Sequence, residues 1–157
     1  MDTDTSFYLP AALVLGVPEM DAQHGVLFAQ LAEIKSVCLA ANHLPETQAE
    51  ALLNALDEHF ATEERLAEEN DVEFSEHTRT HGAMFAAIQK ALAHASDGSK
   101  DVFGLLRYVE YWFERHIAEE DRHLSQRLAH PRQQREFDGY APVGHAPRTC
   151  GEPRANA

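Results

Sequence analysis

Seven side chains of types that bind transition metals stand out in this sequence, and most recur at helical spacing. His77 and His81, in SEHTRTHGAMF, stand four residues apart. On an α-helix that is an offset of about 40° and about 6 Å, so both imidazoles can reach one ion. His59 and Glu63 repeat the spacing in HFATEE, His116 and Asp121 lie five apart in RHIAEED, and His24 stands in MDAQHGVLF. Imidazole and carboxylate together suit iron, zinc, manganese or copper. Five imidazoles and two carboxylates exceed what one ion takes up, which points to a two-metal site. The seven are best shared as a three-histidine ion and a two-histidine ion, with each carboxylate bridging both. The second ion is then short of ligands, and an exogenous small molecule binds there.

The elements that must position these groups are four helices. From about Pro18 to Ala41 the apolar residues Leu27, Leu31, Ile34 and Cys38 follow a three-four rhythm that extends back to His24. Pro45 and Glu46 start a second helix running to about Glu69, whose stripe of Leu52, Leu56, His59, Phe60, Glu63 and Leu66 puts a carboxylate where the period demands an apolar group. A third helix, from about Phe74 to Ala95, carries Phe74, His77, His81, Met84, Ile88 and Leu92 on one face. After the polar turn Ser96, Asp97, Gly98, Ser99, the last helix opens at Ser99 or Lys100 and ends before Pro131. Its broad inward face holds Val102, Leu105, Val109, Trp112, Phe113, His116, Ile117, Leu124 and Leu128, with His116 near one flank and Asp121 on the other.

Four such helices on short turns predict an all-α fold, an up-and-down antiparallel four-helix bundle over residues 1–131. Residues 1–17, punctuated by Pro10 and Gly16, form an extended arm docked on it. Residues 132–157, rich in Pro, Gly and Arg and without period, form a disordered tail. Burying two carboxylates in one bundle core costs several kcal/mol each and sets them against one another, and metal cations remove both objections.

Bulk properties narrow the partners. The 157 residues make one domain, and a formal net charge of −13 opposes binding to nucleic acid and to anionic membrane surfaces. Acidic residues at the N-terminus stand where a signal peptide needs positive charge, and no window nears the roughly 20 apolar residues of a membrane span. Cys38 and Cys150 have no metal-type spacing and indicate no disulfide framework. A soluble, cytoplasmic monomer is expected.

The succession LGVPEMDAQH, HFATEE, HTRTH and HIAEED resembles the hemerythrin family, most closely its single-domain bacterial members, the bacteriohemerythrins; it covers about residues 13–128 and matches all seven ligand positions. The resemblance implies two iron ions, one held by His77, His81 and His116 and the other by His24 and His59. Glu63, Asp121 and an oxo or hydroxo group would bridge them. It implies reversible binding of dioxygen, as a hydroperoxide, at the five-coordinate iron, for oxygen transport, storage or sensing, without catalysis. Leu27, Phe28, Phe60, Phe85, Trp112, Phe113 and Ile117 would keep water out. The sequence departs from the family in two places: Phe7 and Tyr8 are the nearest aromatics before the first motif, and Leu124 replaces a common tyrosine.

Other readings stand beside this one. Singly, an i, i+4 His pair is more often an accident of an amphipathic helix than a ligand pair, a lone His24 is more often a core residue, and the apolar candidates are ordinary core; only the conjunction carries weight. Glu120 and His123 make the Glu-x-x-His spacing of ferritin-like sites, but only once, and His43, His94, His123, His130 and His145 are assigned to surface or tail. The alternatives in function are a di-iron redox enzyme of peroxidase or nitric oxide reductase type, a signalling module acting through a separate protein partner, and a structural metal bundle. Structural sites are normally fully coordinated, which disfavours the last.

Overall fold

The computed structural model describes residues 9–41, 43–96 and 101–130. Phe7, Tyr8, His145, Cys150 and the tail expected over 132–157 lie outside the described residues. A 3₁₀ turn, Ala11–Leu13, precedes α1 (Pro18–Ala41), α2 (Glu46–Glu69), α3 (Ser75–Ser96) and α4 (Val102–His116). A π turn, Ile117–Asp121, and α5 (Arg122–Ala129) follow. Backbone angles stay helical through both joints, so α4, the π turn and α5 form one rod, the fourth member of a four-helix bundle.

Local chemistry sets the helix ends. Pro18 occupies the first turn of α1, and the Asp21 carboxylate reaches back to accept from the backbone N–H groups of Leu15 and Gly16, at 2.8 and 2.9 Å. Gly16 takes a left-handed φ of 81°, which a Cβ would strain. α2 ends in a Schellman turn, with Val72 N–H on Ala67 C=O at 2.8 Å and Asp71 N–H on Glu68 C=O at 3.2 Å. The fourth helix begins at Val102, later than the expected Ser99 or Lys100, because the Asp101 side chain caps it by accepting from Gly104 N–H at 3.0 Å.

The core falls into two apolar clusters with a polar layer between them. The smaller gathers Met20, Ala67 and Leu124, with Phe74, Leu66 and Leu128 against it; the larger runs from Leu27 and Phe28 through Leu52, Leu56, Met84, Val109 and Phe113. Along α1 the chain passes from the small cluster at Met20, through His24, to the large one at Leu27; along α2 it returns from Leu56, through His59 and Glu63, to Ala67. α3 and the fourth rod repeat this alternation, which is the antiparallel up-and-down order. Lys35 on α1 clamps Glu110 on α4 at 2.7 and 2.8 Å, and Arg65 on α2 grips Glu19 on α1. The half-buried Lys35–Glu110 pair contributes about 1 kcal/mol or less. From Leu9 onward the arm is docked as expected, with Leu9 and Leu13 buried and the Arg122 guanidinium donating to Ala12 C=O at 2.6 Å, but the 3₁₀ turn makes this part less than fully extended. No described helix is long and apolar enough to cross a membrane.

Candidate metal centre

The polar layer between the clusters consists of His24, His59, Glu63, His81, His116 and Asp121, exposed by 4 % or less, with the His77 side chain at 12 %. Each helix contributes because its inward stripe carries a donor one or two turns from the apolar residues that bury it. Two groups of donor atoms result, one of Glu63, His77, His81, His116 and Asp121, the other of His24, His59, Glu63 and Asp121.

Both carboxylates divide their oxygens between the groups. Glu63 Oε1 lies 3.2 Å from His59 Nε2, while Oε2 lies 3.1 Å from His81 Nε2 and 3.5 Å from His77 Nε2. Asp121 Oδ2 lies 3.2 Å from His24 Nε2, and Oδ1 is 3.2 Å from His77 Nε2 and 3.0 Å from His116 Nε2. Within each group the imidazoles also face one another: His24 and His59 Nε2 are 3.1 Å apart, His81 and His116 3.1 Å, and His77 and His116 3.3 Å. Adjacent ligands at about 2.1 Å from one octahedral ion are separated by √2 times that, or about 3.0 Å. The spacings are those of donors around a common centre.

Hydrogen bonding cannot account for them. All four carboxylate oxygens of Glu63 and Asp121 are buried without a hydrogen-bond partner among the described residues, and neutral imidazoles whose Nε2 lone pairs converge would repel. A cation in each group satisfies both. The arrangement of bridging carboxylates between unequal histidine sets is that of a di-iron centre.

The electrostatics agree. Burial and the nearby Asp121 push the Glu63 carboxyl up, yet the contacts with His59 and His81 outweigh them and hold it below the usual carboxylate range. Asp121 is also opposed by burial and is held well below that range by His116, His24 and His77. Burial lowers His81, whereas for His116 the burial penalty is overcome by Asp121 and Glu120, which push it up to about 10. The site thus demands positive charge, from metal or from protons on its rings.

All seven residues expected from the sequence are brought together, though His116 and Asp121 come together differently than expected. They do not sit on opposite flanks of a broad helical face. The π turn inserts one residue between them and brings five-apart positions onto one side. The interval of five in HIAEED was the available signal for this turn. Phe60 stacks on His81 with ring centroids 3.9 Å apart at 12°, and Leu27, Phe28, Phe113 and Ile117 are fully packed, but Phe85 and Trp112 are only half-buried. Phe74, expected on the inward face of the third helix, lies 4.3 Å from His77 ring to ring, and Met20, one turn before His24 and fully buried, is a supporting residue not singled out from the sequence.

His43, His94, His123 and His130 are exposed, as expected. Glu120 and His123 join no donor group among the described residues. They line a surface cleft of about 320 Å³ with Glu76, His77 and Arg127. Glu120 Oε2 is 3.4 Å from His116 Nδ1, near enough for attraction but too poorly directed for a hydrogen bond.

A family model described as the hemerythrin HHE cation binding domain matches residues 15–128. Comparison with curated proteins and with solved structures brought no match.

Proposed function

From membership of the hemerythrin family, to which this chain belongs, we propose that it is a protein of the bacteriohemerythrin type that binds dioxygen reversibly without turnover. In this reading His77, His81 and His116 hold one iron and His24 and His59 the other, with Glu63 and Asp121 across both. Two ferrous ions held there would supply the pair of electrons that a bound dioxygen takes up and returns.

The observation that carries the reading is the inequality of the two groups: five protein donors against four, sharing the same two carboxylates. An octahedral ion held by the smaller group would keep one more position for something other than protein. His24 and His59 are fully buried, so only a very small molecule reaches that position. Met20, Leu27 and Phe28 lie one turn to either side of His24 on its own stripe and exclude water from that end. Five neutral imidazoles against two carboxylates stabilise high iron oxidation states less than a carboxylate-rich site, which favours binding over oxidation. Cys38, a buried free thiol, fits a reducing cytoplasm.

The test is oxygen addition to anaerobically reduced, iron-loaded protein. A visible charge-transfer band should rise on admitting oxygen and vanish when the gas is pumped off. Nitric oxide and hydrogen peroxide pass the same size limit, so a band that decays without returning oxygen would overturn the proposal in favour of the redox enzyme.

A further inference from the structure

His59 differs from His24, His81 and His116 in what stands behind its ring. His24, His81 and His116 each bury an Nδ1 that makes no hydrogen bond among the described residues. His59 does not: its Nδ1 is 3.0 Å from Gln23 Oε1, and Gln23 Nε2 in turn donates to Thr62 Oγ1 at 2.9 Å. The amide spans the α1–α2 seam from the residue before His24 to the residue before Glu63. Thr62 is buried, so its hydroxyl anchors the far end of the amide.

A primary amide has one accepting and one donating end, and the two orientations of Gln23 have opposite consequences. With Oε1 toward His59, the ring must carry its proton on Nδ1, and the Nε2 lone pair faces His24, Glu63 and Asp121. Turned over, the amide would donate to Nδ1 and force the proton onto Nε2, where it would meet Glu63 Oε1 at 3.2 Å and shut out a cation. The Thr62 hydroxyl tolerates either orientation, because it can donate or accept. Orientation of the amide and availability of His59 Nε2 are therefore one equilibrium.

We propose that Gln23 is a positioning residue for the two-histidine group, its amide oxygen fixing the His59 ring as the Nδ1–H form and so setting the aim and donor strength of Nε2. This rests on the di-iron reading above. A neutral amide polarises the ring less than a carboxylate, so His59 stays a moderate donor at the metal position with fewest protein ligands. That weak donation favours the ferrous state there.

The experiment compares iron-loaded parent, Gln23→Met, Gln23→Glu and Thr62→Val by iron stoichiometry, ferrous affinity and midpoint potential. Methionine matches glutamine in length but cannot accept the proton, and we expect ferrous affinity at one position to fall by about 10–100-fold. Glutamate restores an acceptor with added charge, so two irons should be retained at a more negative potential. Thr62→Val frees the far end of the amide and should weaken affinity less than methionine does. A helical signal equal to the parent's establishes folding, and should the methionine variant not fold, the glutamate and valine variants carry the test. Two irons at the parent's affinity and potential in every folded variant would overturn the role of Gln23 while leaving the di-iron reading intact. A parent that takes up no iron would overturn both.

Discussion

Replacing Glu63 with glutamine removes one charge and one shared oxygen from a fully buried position while keeping the side chain's volume. Glu63 supplies one donor to each group; glutamine keeps a single oxygen, so one group loses a donor outright and the other keeps only a neutral amide oxygen in place of a carboxylate. Taking one partner from a buried, hydrogen-bonded or metal-bound charge costs about 3–5 kcal/mol. At about 1.4 kcal/mol per tenfold, each ion is held roughly a hundred- to a few-thousand-fold more weakly. The smaller group, with least to lose, should empty first. Iron assayed per chain after gel filtration is expected to fall from two to one or fewer. The neighbouring Glu64, exposed on the same helix, provides the control: Glu64→Gln should keep two. Full occupancy and unchanged visible bands in Glu63→Gln would refute the claim that this carboxylate bridges two ions, however well its distances suit the role.

Further expectations rest on the same geometry. Stripping the metal leaves the buried charges uncompensated, a cost of about 3–5 kcal/mol that at about 2–4 °C per kcal/mol lowers Tm by about 6–20 °C. In that metal-free protein His116, raised to about 10, contributes stability fully below its unfolded value near 6.5 and loses it as pH climbs toward 10. Glu63 and Asp121, held low, contribute above about 4 and lose their share as pH falls further. His81, held low by burial, contributes above its unfolded value near 6.5 and loses that share as pH falls below it, so thermal scans of the metal-free protein should show greatest stability near pH 6.5. Iron uptake near neutral pH should release protons measurable in a pH-stat, and a flat profile with no release would contradict the electrostatics. Deleting Ala118, an exposed residue of the π turn, leaves His116 and Asp121 four apart on a continuous α-helix. Because four-apart residues share a face, the deletion variant is expected to keep two irons per chain, and loss of iron would show that the wide turn itself shapes the site.

The helix periods were legible in the residues themselves, since which residues share a face depends only on 3.6 residues per turn. That local rule placed His24, His59, Glu63, His77 and His81 inward, showed a carboxylate in a core stripe as an anomaly needing a cation, and marked three of the four helix starts closely. It failed where the backbone leaves the rule. At Ile117–Asp121 the turn widens, so ideal-helix geometry put His116 and Asp121 on separate flanks although the folded chain brings their donor atoms within 3.0 Å. Nor could period alone reveal which oxygen of Glu63 meets which ring, that Gln23 rather than another group stands behind His59, or that Arg122 holds the arm at Ala12. These contacts join residues 14 or more positions apart, apart from the Glu63 contact with His59. They are set by how helices rotate and slide when their side chains interdigitate, a property of the packed bundle that no single segment contains.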